Sequence, residues 1–132
     1  MITIREYFGP HKPDAARHVA QARELLAAVT PLLEAARGNG VELPVNPKTG
    51  TLVSGEMWGG YRTQACTIGA LASAHKTGEA VDVYDPVGAL DTWITDERLE
   101  RYELYREHPE ATLGWSHLST RAPKSGSRTF RP

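Results

Sequence analysis

The chain has 132 residues, of which 40% are hydrophobic and 23% charged, and a formal net charge of −1. That length suits one domain of the ordinary ~100–150 residues, large enough to hold a core without disulfide staples. The near-neutral balance excludes a global pull towards nucleic acid or an acidic membrane surface, and the lone Cys66 excludes an intrachain disulfide. Cys66 reads as a small half-buried hydrophobe rather than a nucleophile. No apolar run approaches the ~20 residues of a membrane span, and Met1–Tyr7 is too short and polar to read as a signal peptide.

Taken in chain order, Val19, Ala22, Leu25, Leu26, Val29, Leu32, Leu33 and Ala36 recur at helical intervals and predict an amphipathic helix over 13–37. Pro13 suits its first turn and Gly38 its end. Pro31 removes one hydrogen bond and predicts a kink, or a restart capped by Thr30. Val41–Val45 and Thr51–Ser54 read as short strands joined by a hairpin over 46–50. Ala80–Tyr84 is a further apolar run stopped by Asp85-Pro86. A helical stretch follows from Gly88 to Tyr105, in two pieces broken near Thr95-Asp96, and Leu113–Leu118 reads as a last core strand. The tail from Arg121 to Pro132 is basic and rich in Pro, Gly and Ser, so it is expected to wrap the surface. No βα rhythm or internal repeat is present, which favours an α+β domain.

The sharpest stretch is Ser73-Ala74-His75-Lys76-Thr77-Gly78-Glu79-Ala80-Val81-Asp82. His75 and Asp82, bent towards each other around Gly78, predict a strand-turn-strand metal clip. Imidazole and carboxylate suit zinc, and His117 in Trp115-Ser116-His117 offers a third ligand. Three protein ligands leave a fourth position open, the arrangement of catalytic zinc. A carboxylate such as Asp82 inside an apolar run needs a partner, which argues against a mere turn residue. His11, His18 and His108 lack metal-like spacing and read as surface residues. Trp58 reads as core, and Trp115 as core that also walls the cleft.

Ser-x-His-x-x-x-Gly-x-Ala-x-Asp followed by Trp-x-His resembles the D-Ala-D-Ala metallopeptidases. That superfamily includes zinc carboxypeptidases, D,D-dipeptidases, phage L-Ala-D-Glu endopeptidases and the hedgehog domain. The likeness runs from about Ser54 to Pro132 and is nearest to small peptidase-like proteins of phages and prophages. It implies a single hedgehog/DD-peptidase-like domain over 1–132, with a small antiparallel sheet carrying the metal site, a core over 54–120 and a basic surface tail over 121–132. It implies Zn2+ held by His75, Asp82 and His117, and hydrolysis of peptide bonds in peptidoglycan stem peptides, by D,D-carboxypeptidase or endopeptidase action. Arg62, in Gly60-Tyr61-Arg62, matches the arginine that holds substrate and steadies the oxyanion. Ser73 matches a serine close to substrate, while Tyr84 and Trp115 are expected to touch it.

The pattern departs at Gly114, where many members carry the carboxylate that serves as general base. Glu107 or Glu110 is expected to replace it from a loop folded over the metal. Glu107 is favoured because related phage proteins carry an acid there after a Leu-Tyr pair. The resemblance further implies a monomer acting on bacterial peptidoglycan, with neither nucleic acid nor membrane as partner. It would be made in the bacterial cytoplasm and reach the wall by phage-mediated release or within a virion. The alternative is a non-catalytic virion or assembly protein that keeps the fold.

Overall fold

The computed structural model describes residues 1–70 and 72–132. It is a small α+β domain with a four-stranded mixed sheet in the order β1-β3-β2-β4. Strand β1 is Ala80–Asp85, β2 Tyr105–Glu107, β3 Gly114–Ser119 and β4 Thr129–Phe130. The sheet is not wholly antiparallel, as the resemblance implies it to be. β1 and β2 run antiparallel to β3, but the tail returns beyond β2 and pairs with it in parallel, matching Arg106 with Thr129 and Glu107 with Phe130. The tail is exposed or half-buried throughout, and its Thr129–Phe130 segment joins the sheet as the edge strand. Arg128 lies over the Tyr105 ring at 4.4 Å, and Arg131 pairs with Glu110 at 3.1 Å, so both charges are tied to the domain.

Among the described residues four α-helices pack around the sheet: α1 (Ile4–Phe8), α2 (Ala16–Gly38), α3 (Ala89–Trp93) and α4 (Asp96–Arg101). The periodic stripe of α2 is its buried face, and Leu25, Leu32 and Leu33 are fully buried with Val81, Val83 and Leu118 of the sheet. Each such leucine contributes ~1.5–3 kcal/mol relative to exposure. The helix starts three residues after Pro13, because Asp14 N–H donates to Tyr61 Oη at 2.8 Å and holds the entry in a loop. Pro31 neither ends nor restarts it. Pro31 and Ala27 are both exposed, so the carbonyl that proline leaves unbonded faces water. Helix α1 is closed by reciprocal Thr3 and Glu6 bonds, a capping box. It sends buried Tyr7 to donate to Ala80 O at 2.9 Å. The predicted break between α3 and α4 occurs at Ile94-Thr95, and Thr95 caps α4 by accepting from Arg98 N.

Val41–Val45 and Thr51–Ser54 are not strands. The segment makes two isolated bridges, Asn46↔Thr51 and Val53↔Val83. Pro44 and Pro47 cannot donate to a ladder. Side chains take over instead: Asn46 Nδ2 donates to Val53 O and Gly55 O, and Thr49 Oγ1 donates to Val53 O. Leu52 O and Ser54 N still bond β1 at Tyr84 and Asp82, so this segment flanks the sheet's other edge.

One of the three histidines expected at the surface is not there. His18 is buried, because it lies on the α2 stripe one turn before Ala22, and its Nδ1 meets Tyr61 Oη at 2.8 Å. His11 is half-buried, stacked on Trp58 at 4.0 Å. No described helix is long and apolar enough to cross a membrane.

Candidate metal centre

Side chains alternate across the strands, so each strand offers one face to the helices and the other to a cavity of about 460 Å³. Asp82 of β1, His117 of β3, Glu107 of β2 and Phe130 of β4 all line that cavity. Asp82 and His117 are direct cross-strand partners. His75 arrives from outside the sheet. It sits in a 3-10 turn, Ala74–Thr77, rather than the expected strand, and Gly78 closes that turn at φ +81°. A strand is blocked there because Lys76 N–H bonds back to Ser73 O and Glu79 N–H to Ala74 O.

The three predicted ligands are all buried, and their candidate ligand atoms lie within 4.8 Å of one another. His117 Nδ1 is 2.9 Å from Asp82 Oδ1, and His75 Nε2 is 3.3 Å from the same oxygen. The other His75 nitrogen, Nδ1, lies 2.8 Å from Gly60 O. A carbonyl only accepts, so Nδ1 carries the proton, and a neutral His75 then turns a bare Nε2 lone pair towards a carboxylate. Two electron-rich atoms so placed require a proton or a cation between them. The donor set of two imidazoles and a carboxylate fits a divalent metal of zinc's type, with the Gly60 bond orienting the ligand from behind.

Electrostatics agree. Burial alone would raise the Asp82 carboxyl, but the two histidines hold it well below the usual carboxylate range. Burial works against a charged His117, yet the bond to Asp82 and that carboxylate's charge raise it, with Glu107 adding to the effect. The site is thus a cation-attracting cluster of three buried side chains.

Arg62 is drawn in as predicted. Its Nη2 donates to Asp82 Oδ2 at 3.3 Å, Nε to Trp58 O at 2.8 Å and Nη1 to Ile68 O at 3.3 Å. Ser73 also lines the cavity, and its Oγ accepts from His75 N. Trp115 forms part of the wall. Tyr84 is not among the described lining residues, and neither is Glu110, which is exposed and paired with Arg131. Glu107 reaches the cavity from strand β2 rather than from a loop. Phe130 was missed by sequence reasoning, and its ring stands edge-on to His117 at 6.2 Å. Arg121 was missed as well. It clasps Glu79, Thr77 and Ala72 O beside the His75 turn. No protein-family model, curated protein or solved structure matches the chain.

Proposed function

We propose that this chain is a zinc peptidase that hydrolyses peptide bonds in bacterial peptidoglycan stem peptides, as a D,D-carboxypeptidase or an endopeptidase. One observation carries the reading: buried His75, Asp82 and His117 converge in a cavity that Arg62 and Glu107 also line. The resemblance of Ser73–Asp82 and Trp115–His117 to the D-Ala-D-Ala metallopeptidases supports it. His75, Asp82 and His117 would hold the ion, which when bound polarises a scissile carbonyl and brings the pKa of water towards ~7.

The remaining work falls to the chain. Arg62 spends one N–H at each nitrogen on Trp58 O, Ile68 O and Asp82. One N–H on each terminal nitrogen is left for an oxyanion. Those bonds fix the guanidinium plane before substrate arrives, so little reorganisation is needed. Glu107 accepts a proton from the attacking water and returns it to the leaving amine, a role worth roughly 10²–10⁴ in rate. Ser73 uses its oxygen lone pair on His75 N, which leaves its O–H free to donate to substrate.

The test pairs elemental analysis of wild type and His75→Ala with release of amino groups from purified peptidoglycan. About one zinc per chain, with both metal and cleavage lost in the variant, is the expected result. Zinc without cleavage would leave the non-catalytic reading, and a wild type without metal would refute both the site and the function.

A further inference from the structure

We propose that Asp91, on α3, is a positioning residue that holds Glu107, His117 and Phe130 in their mutual arrangement around the cavity. The proposal takes the cavity as the reactive site, as above. Asp91 itself lies on the helix side of the sheet and is buried, and it touches nothing in the cavity.

Its contacts form a connected chain. Ser116 Oγ donates to Asp91 Oδ1 at 2.7 Å, and Thr112 Oγ1 donates to Oδ2 at 3.0 Å. Arg106 Nη1 donates to Asp91 O at 2.8 Å, and its Nε donates to Thr129 Oγ1 at 3.0 Å. Thr129 Oγ1 in turn donates to Asp96 Oδ1 at 2.6 Å. Ser116, Arg106 and Thr129 each directly precede a cavity residue: His117 on β3, Glu107 on β2 and Phe130 on β4. The Asp91 carboxylate thus holds Ser116 directly and pairs with Arg106 Nη1 at 3.7 Å, and Arg106 passes the connection on to Thr129, so a neighbour of a cavity residue on each of three adjacent strands is tied to one residue.

Asp91 is itself fixed. Asp85, the last residue of β1, accepts from the N–H groups of Leu90 and Asp91, both at 2.9 Å. The network thus reaches back to the strand that carries Asp82. A polar chain of this kind supplies what packing alone does not. β2 has three residues and β4 two. Strands so short have few ladder bonds with which to resist sliding, and a slip by one residue would turn Glu107 or Phe130 to the helix side. Directional bonds at Arg106 and Thr129 exclude that slip. The links at Asp91, Thr112, Ser116 and Arg106 are buried, and satisfied buried networks rigidify and specify in this way.

The test uses the full chain and needs neither metal nor substrate. Amide hydrogen exchange is followed by NMR in wild type, Asp91→Ala, Asp91→Asn and Thr129→Val. The reporters are the Arg106 and His108 amides, which bond Arg128 O and Phe130 O across the β2–β4 seam. Asp91→Ala and Thr129→Val are each expected to speed these two amides by about tenfold, while Val81, Val83 and Leu118 keep their protection. Asp91→Asn keeps the side-chain acceptor for Ser116 that Asp91→Ala lacks, so it is expected to restore part of the protection. If Asp91→Ala does not fold, Thr129→Val carries the test alone. Unchanged seam amides, or acceleration spread evenly over the core, would overturn the proposal. In the same variants zinc Kd is measured against a chromophoric chelator, with a loss of about tenfold expected for Asp91→Ala. A wild type that binds no zinc would refute the proposed function, whereas the exchange pattern would still decide the role of Asp91.

Discussion

Replacing Gly78 by alanine separates two costs that the structure allows to be worked out. Gly78 has φ +81°, a left-handed conformation that costs an L-residue ~1–2 kcal/mol. A Cβ there would also stand 2.5 Å from His18 O and 3.2 Å from Ala22 N, both backbone atoms of α2. Backbone inside a long helix gives way poorly, so the overlap adds ~1–3 kcal/mol. The expected total is about 2–5 kcal/mol. Gly126 supplies the control: its φ is +73° and a Cβ meets nothing within 4 Å, so Gly126→Ala carries only the first cost. Urea unfolding at neutral pH, followed by circular dichroism, measures both variants. With a slope of about 2 kcal/mol/M, a loss of 3 kcal/mol lowers the midpoint by about 1.5 M. Equal losses in the two variants would refute the claim that α2 presses on the turn carrying His75.

Glu107→Gln is expected to retain zinc and lose roughly 10²–10⁴ in kcat, whereas Glu110→Gln stays near wild type; steady-state kinetics on peptidoglycan peptides, with metal analysis, check this. Zinc at 100 times its Kd is expected to stabilise the fold by about 2.7 kcal/mol, read as a rise in Tm that excess chelator reverses and His75→Ala abolishes. A pH effect follows from His18, which burial and then Arg17 hold below the usual histidine value, with Asp14 and Glu79 opposing. A histidine with a lowered folded pKa favours folding above its ordinary value near ~6.5 and loses that contribution as pH falls and the unfolded chain takes up protons first. Wild type should therefore lose more stability than His18→Gln between pH 7 and pH 5 in matched urea titrations, and parallel curves would exclude the effect.

How legible the fold was depended on how local its causes are. The α2 stripe, the break at Thr95 and the apolar runs of β1 and β3 are written in neighbouring residues, and all appear in the structure. So does the convergence of His75, Asp82 and His117. Helix α1 also had a local signal, Thr3-Ile4-Arg5-Glu6, a capping-box spacing that could have revealed it. The strands β2 and β4 had none. They are too short for a period to show, and their hydrogen bonds come from partners elsewhere in the chain: β2 pairs with β3 and β4, and β4 with β2. Phe130 and the placement of Glu107 were hidden for the same reason. Conversely, the expected strands at 41–45 and 51–54 had suitable composition, but prolines and side-chain bonds removed the ladder.

The cross-strand pairing of Asp82 with His117 has a consequence for how the chain folds. β1 and β3 meet only after a long intervening loop has closed, and such non-local pairings form slowly. Only in the native register does His117 face Asp82. A shift by one residue would set Ser116 or Leu118 opposite instead, and the metal cluster would not exist. A bound ion would thus act as a proof-reader of the sheet, rewarding one alignment of β1 on β3 and leaving its neighbours unrewarded. An ion that binds only the completed alignment would stabilise the native state over the transition state, so the reward would fall mainly on the unfolding rate, turning a modest equilibrium gain into a longer-lived native state.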